Sequence, residues 1–182
     1  MGGQINTANY TIGQCSLYYT ATIAHASLLS ADFRTDARSL GNIVTAEITP
    51  DVTYIEHFIS DNGQRKRDFT AVSEIKVSIP FTFDEMNSGN IQKFFLGSLL
   101  ATDRIAPFEE PLVNGCAQLY FTTNVGQDLV YYIPKCTIRP DGGMAMNAED
   151  WWTANMVIDV WHYDTSDWAS KPYGYMSTSS IA

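Results

Sequence analysis

"EIKVSIPFTFDEMNSGNIQKFFLG", residues Glu74 to Gly97, changes its period half-way, and that change decides the fold. Up to Phe83 the period is two: Ile75, Val77, Ile79, Phe81 and Phe83 alternate with Glu74, Lys76, Ser78, Pro80 and Thr82. Successive side chains of a strand point to opposite faces, so the pattern predicts a strand with one apolar and one polar face. Pro80 cannot donate to a ladder, which places it at an edge, a bulge or near the strand's end. Past Asp84 the spacing turns helical, with Ile91, Phe94 and Phe95 on one side. Asp84 and Asn87 suit a helix start, and Gly97 suits the residue just past its end. The adjacent carboxylates of Asp84 and Glu85 sit at the join. An acid/base pair must converge on a pocket, whereas neighbours on a strand point apart, so capping and dipole roles are the expectation.

Upstream, "IVTAEIT" (43–49) reads as a strand with Val44, Ala46 and Ile48 on one face and Thr45, Glu47 and Thr49 on the other. Pro50-Asp51 breaks the run, and "TYIEHFIS" (53–60) is a second strand with apolar residues on both faces. Asn62-Gly63 tolerates the positive φ of a tight hairpin turn, which joins this strand to the one ending at Phe83. Residues 1–42 are weakly patterned, with "CSLYYTATIA" (15–24) as a candidate first strand.

Downstream, "TDRIAPFEEPLVNG" (102–115) reads as an irregular connection. Strands resume at "CAQLYFTT" (116–123) and, after the turn "NVGQD", at "LVYYIPKCTI" (129–138). A Gly-Gly loop, "RPDGGMAMNAED" (139–150), leads to a closing strand within "WWTANMVIDVWHY" (151–163). There Ala154, Met156, Ile158 and Val160 share a face, opposite Thr153, Asn155 and Asp159. The fold class is mainly β: a β-sandwich or partial barrel of six to seven antiparallel strands with one short flanking helix. One domain spans 1–163, and 164–182 is expected to be a loosely ordered tail.

The chain has 182 residues, a formal net charge of −9 and a sequence pI near 4.6. Gripping nucleic acid requires a basic surface, so sequence-specific DNA binding is not expected. Cys15, Cys116 and Cys136 are odd in number and far apart, which supports neither a disulfide framework nor a zinc site. No apolar run reaches the roughly 20 residues of a membrane span, and Met-Gly-Gly-Gln, with no charged region followed by an apolar run, is not expected to be a secretory signal. His25, His57 and His162 lie in separate segments; His57, alternating with Ile55 and Ile59, is expected to be a hydrogen-bonded core or interface residue. Cys136, in step with Ile138, Pro134 and Tyr132, is expected to be a buried, inert thiol. Trp151-Trp152 beside Glu149-Asp150 suggests core or interface packing, with a sugar-stacking platform as the functional alternative. Arg65-Lys66-Arg67 is a basic run at a hairpin tip: a solvated turn, or a docking point for an acidic surface. No catalytic residue, metal or cofactor is expected.

Taken in order, Leu40-Gly41-Asn42, Ile55-Glu56-His57-Phe58, Gly63, Asp68 and the run from Phe81 to Gly97 resemble the major tail tube proteins of long-tailed bacteriophages. Glu149 to Thr153 is similar to that family's approach to its closing strand. The likeness spans roughly residues 38–100; the first 30 residues and those after Tyr163 have no counterpart in it. It implies six subunits in a ring whose strands join into a continuous inner barrel, and rings stacked into a tube through which double-stranded DNA passes. Partners would be further copies and other tail proteins (tape measure, tail terminator, baseplate or tip), with no membrane; the place would be the virion tail, assembled in the bacterial host's cytoplasm. Glu47, Glu74, Asp159 and Glu56 are candidates for an acidic lumen, Glu47 and Glu74 foremost. Asp61, Asn62, Gly63, Arg65, Lys66, Arg67 and Asp68 are candidates for contacts between subunits or rings. The competing expectations are a carbohydrate-binding β-sandwich using Trp151, Trp152 or Trp161, and a small hydrolase using Asp84 or Glu85.

Overall fold

The computed structural model describes residues 12–22, 33–34, 38–101, 104–110, 114–125, 128–165 and 167–178. Within them lie β1 (Ile12–Thr20), β2 (Ile43–Ala46), β3 (Thr49–Asp61), β4 (Gln64–Phe83), α1 (Ser88–Phe94), β5 (Ser98–Ala101), β6 (Arg104–Ala106), β7 (Asn114–Val125), β8 (Leu129–Ala145), β9 (Thr153–Val160) and β10 (Tyr175–Ser177). The main sheet is antiparallel and runs β1-β7-β8-β9-β4-β2. Beyond β2, β3 lies along the same edge of β4, opposite the edge that carries β9. β10 pairs with β8 at Val130–Tyr132, in line with β9.

The sheet curls until its ends meet. Leu40, just before β2, donates its N–H to the Leu17 carbonyl of β1 at 2.9 Å, and Ser39 bridges Tyr18. Inside are the residues that alternation places there: Leu17 and Tyr19, Ile79, Phe81 and Phe83, Ala117 and Leu119, Tyr131 and Ile133, and Ala154, Met156 and Ile158. Phe94 of α1 closes the same core. Burial raises the Cys15 thiol to about 11 and the Tyr131 phenol to about 12. Cys136 is buried as expected, and desolvation pushes its thiol well above the usual range.

Several expectations change. β3 runs through Pro50, which stands opposite Val77, so the break falls at Glu47-Ile48 instead. A register shift between Ile43 and Thr45 turns Val44 out to solvent. The Gly-Gly segment is no loop: β8 continues through it, with the irregularity between Pro140 and Met144. A small β5–β6 hairpin occupies part of the stretch read as irregular. Leu96, not Gly97, takes the left-handed conformation after α1, with φ 48°. Gly97 is a glycine because of crowding: a Cβ there would lie 2.5 Å from the Ala106 carbonyl oxygen.

The tail expectation is corrected for residues 164–165 and 167–178. Trp168 is fully buried on the outer face of the sheet with Phe33, Cys116, Val130 and Tyr132. Tyr175 stacks on Tyr132 at 4.7 Å and on Trp168 at 5.8 Å, and the Lys171 ammonium lies over the Trp168 and Tyr175 rings. Three aromatic rings and a strand pairing hold the segment as a strap across the barrel. Residues 179–182 lie outside the described set.

Candidate functional site

Two of the segments that carried the resemblance, Leu40–Asn42 and the run from Asp84 to Asn90, meet in a polar knot. Asn87 caps α1, its side chain accepting the Asn90 N–H at 2.9 Å. Asn90 is buried and donates its amide to the Leu40 and Glu85 carbonyls, both at 2.9 Å. Asn42 donates to both carboxylate oxygens of Asp84, at 2.9 and 2.8 Å. Glu85 packs on Gly41, where φ is 79° and a Cβ would come within 2.3 Å of the carboxylate. Asp84 thus fixes the approach to β2 rather than capping α1, whose first turn has no acidic residue.

β4 contains the second feature. From Val77 to Phe83 it is flanked on both edges; from Gln64 to Lys76 only β3 accompanies it. The hairpin therefore continues beyond the barrel as a two-stranded ribbon. Asn62 and Gly63 make its turn with φ of 49° and 76°, as the hairpin reading expects. Register shifts at Thr53/Tyr54 and His57/Phe58 interrupt the ribbon twice. The core row Phe83, Phe81, Ile79, Val77 runs on into Ile75, with Tyr54 and Val72 beyond it, but there the side chains are exposed: Tyr54 by 60% and Val72 by 53%. The opposite face carries Ile55, Ile59 and Phe69, the last 64% exposed.

Polar contacts hold the ribbon together. Lys66 pairs with Asp61 at 2.6 Å and Arg67 with Glu56, while the Arg65 guanidinium lies 4.0 Å over the Phe58 ring. His57 Nδ1 meets Asp68 at 2.7 Å, so this histidine is hydrogen-bonded but exposed, not core. The basic run at the tip is thus matched within its own hairpin. Asp51, Glu56, Asp61, Asp68 and Glu74 nearly balance Arg65, Lys66, Arg67 and Lys76, so almost all of the −9 lies elsewhere.

The structure places Glu47, Glu74 and Asp159 on one wetted face of the sheet. Glu74, Lys76 and Ser78 share that face with Thr53, Asp51 and Thr49, and Ser78 stands opposite Asp159. Glu47 donates its N–H to Pro80 and lines a shallow depression with Thr82, Asp141 and Asn155. Two of the three carboxylates have basic partners, Glu74 with Lys76 at 3.0 Å and Asp159 with Arg139 at 2.6 Å. The hydrogen bond to Asp159 raises the Arg139 pKa. Glu56 departs from the set: it lies with Tyr54 and Phe58 on the other face of the ribbon.

The tryptophans do not form one platform. Trp151 and Trp152 are exposed in the β8–β9 loop, contrary to the core expectation, and the Trp152 indole donates to the Asn147 carbonyl. Trp161 lies apart, in a groove of about 820 Å³ at the ribbon's root, its indole fixed to Thr137 at 3.0 Å. Among the described residues no three potential metal ligands cluster, and no helix is long and apolar enough to cross a membrane. His25 lies outside those residues. Composition hides the ribbon because its exposed apolar residues look like core; only the gain of apolar residues on both faces of 53–60 hinted otherwise. No protein-family model matches the chain, and no curated protein matches it as a relative.

Proposed function

We propose that the chain is the structural subunit of a phage tail tube, forming hexameric rings that stack into a hollow tube for viral DNA. The observation that carries this reading is the β3–β4 ribbon. An isolated two-stranded ribbon is marginal in water, and this one exposes large apolar side chains on both faces. Exposed apolar surface of that kind marks an interaction site. Among the described residues its outer edges are free as well: β3 over Thr49–Asp61 pairs only with β4, and β4 over Gln64–Lys76 pairs only with β3. The free β3 edge of one copy and the free β4 edge of the next run antiparallel. Repeated head to tail, such pairing closes a ring and removes every edge.

The wetted face supplies the lumen. Glu47, Asp51, Glu74, Asp141 and Asp159 outnumber Lys76 and Arg139, giving a wall that repels the duplex and keeps water between them. Glu56, on the opposite face, drops out of the lumen set. The ring reading needs no cofactor, catalytic residue or metal, and its partners are further copies and the other tail proteins. Electron microscopy of purified protein at rising concentration is the test: rings and tubes are expected, and a particle that remains monomeric throughout overturns the reading.

A further inference from the structure

We propose that the cavity beneath the last turn of α1 binds a short-chain organic monocarboxylate. The cavity belongs to a single copy of the chain and does not depend on ring assembly. It measures about 220 Å³ and lies where α1, the end of β1 and β8 converge. Tyr19 and Ile138, both buried, and Leu96, just past α1, supply apolar lining. Arg38, Lys93 and Glu110 supply charge. A chain of −9 thus gathers two cations against one carboxylate around a small, partly apolar space.

Lys93 is the residue that points to an anion. It is half-buried, and desolvation lowers its pKa. Its Nζ donates to the Gly89 carbonyl at 3.2 Å, which occupies one of three N–H donors. A basic residue in a helix's last turn usually offsets the terminal carbonyls, but this ammonium reaches back a full turn. Among the described residues no carboxylate pairs with Lys93, and Glu110 pairs with no cation, whereas Lys66, Arg67, Lys76 and Arg139 each find a carboxylate. A desolvated ammonium without a counter-charge is unfavourable, and a bound carboxylate relieves it. Arg38 is held at the same cavity by Phe33, whose carbonyl accepts from Nη1 at 3.3 Å and whose ring lies 5.0 Å from the guanidinium. Its planar fork matches a carboxylate. Size and charge narrow the ligand. The volume falls below the roughly 300–1,000 Å³ of pockets for drug-sized molecules, so only a few carbons fit. Glu110 opposes a second negative charge, which disfavours a phosphate dianion. The apolar lining favours a short hydrocarbon stem over a bare inorganic ion.

The test is saturation-transfer NMR on the purified chain with butyrate, its neutral isostere butyramide, and inorganic phosphate. Butyrate should bind, and butyramide should bind at least about tenfold more weakly. Phosphate should displace butyrate only poorly. Lys93→Met keeps the side-chain length and removes the charge. It should retain the wild-type near-ultraviolet circular dichroism and weaken butyrate about tenfold to a hundredfold, while Lys93→Arg restores most of the affinity. The proposal fails if butyrate does not bind, if butyramide binds as well, or if phosphate binds more tightly. It also fails if Lys93→Met binds butyrate like wild type. Should that variant unfold, the comparison of the three probes on wild type decides alone.

Discussion

One strand lives in two environments. From Val77 to Phe83, β4 has neighbours on both edges and a packed core on one face; from Gln64 to Lys76 it has β3 alone and solvent on both faces. The apolar alternation runs from one half into the other. What differs is the cover, and cover is supplied by other segments. The inner half stabilises the monomer, and the outer half has apolar surface left for something else to bury.

The largest expected effect separates the halves by one residue type. Phe81 is 2% exposed and Phe69 is 64% exposed. Phe81→Ala should cost the monomer about 3–5 kcal/mol, as core phenylalanines do, while Phe69→Ala should stay within about 0.5 kcal/mol. Urea unfolding of dilute monomer measures both; equal losses would erase the distinction between the halves.

Asn90 comes next. Its buried amide joins Leu40, before β2, to Glu85, after β4. Asn90→Ala leaves two carbonyls without that donor and should cost about 2 kcal/mol. Loss confined to ribbon contacts, with unfolding unchanged, would show that the knot does not stabilise the barrel.

A pH series sharpens the contrast. Burial raises Cys15 from 9.0 to about 11 and Tyr131 from 10.0 to about 12. Both groups are neutral when protonated, so their contribution is fully present below pH 9 and 10 respectively. It is lost as pH rises towards the folded values, because the unfolded chain releases its protons first. Monomer stability should fall by about 1 kcal/mol per pH unit between pH 9 and 11. A stability flat over that interval would place both groups in contact with water.

The smallest effect belongs to the ribbon. Its exposed ion pairs are worth about 0–1 kcal/mol each and are screened by salt. One molar sodium chloride should accelerate hydrogen exchange at Asp61–Arg67 and leave that of Ile79–Phe83 unchanged. Uniform change in both would mean that the ribbon shares the barrel's cooperativity.

Much of the architecture was legible because its cause is local. The alternation to Phe83, the Asn62-Gly63 turn and the Asn87 cap each depend on a few adjacent residues. The polar faces of Glu74 and Asp159 also followed from parity along their strands, whereas Glu47 lies in the break between β2 and β3. What was not legible depends on distant neighbours. Arg139 reaches Asp159 only because β8 lies beside β9, and Gly97 is constrained by Ala106 rather than by its own turn. The strap was missed because Trp168, Tyr173 and Tyr175 are scattered among Pro, Gly and Ser, with no period to reveal a buried face.

The strap has a consequence for the order in which the molecule is made. β1 pairs with β7, so Leu17 meets Leu119 only after a hundred further residues have been synthesised, and Trp168 arrives later still. Pairings so distant in sequence close slowly. The ribbon, by contrast, is a local hairpin that forms within microseconds of leaving the ribosome. Its adhesive faces are therefore formed, if only transiently, long before the barrel that should carry them. A nascent chain passes through an interval in which it can stick to a neighbour while its own wall is still open, and slow translation across residues 84 to 168 would lengthen that hazard.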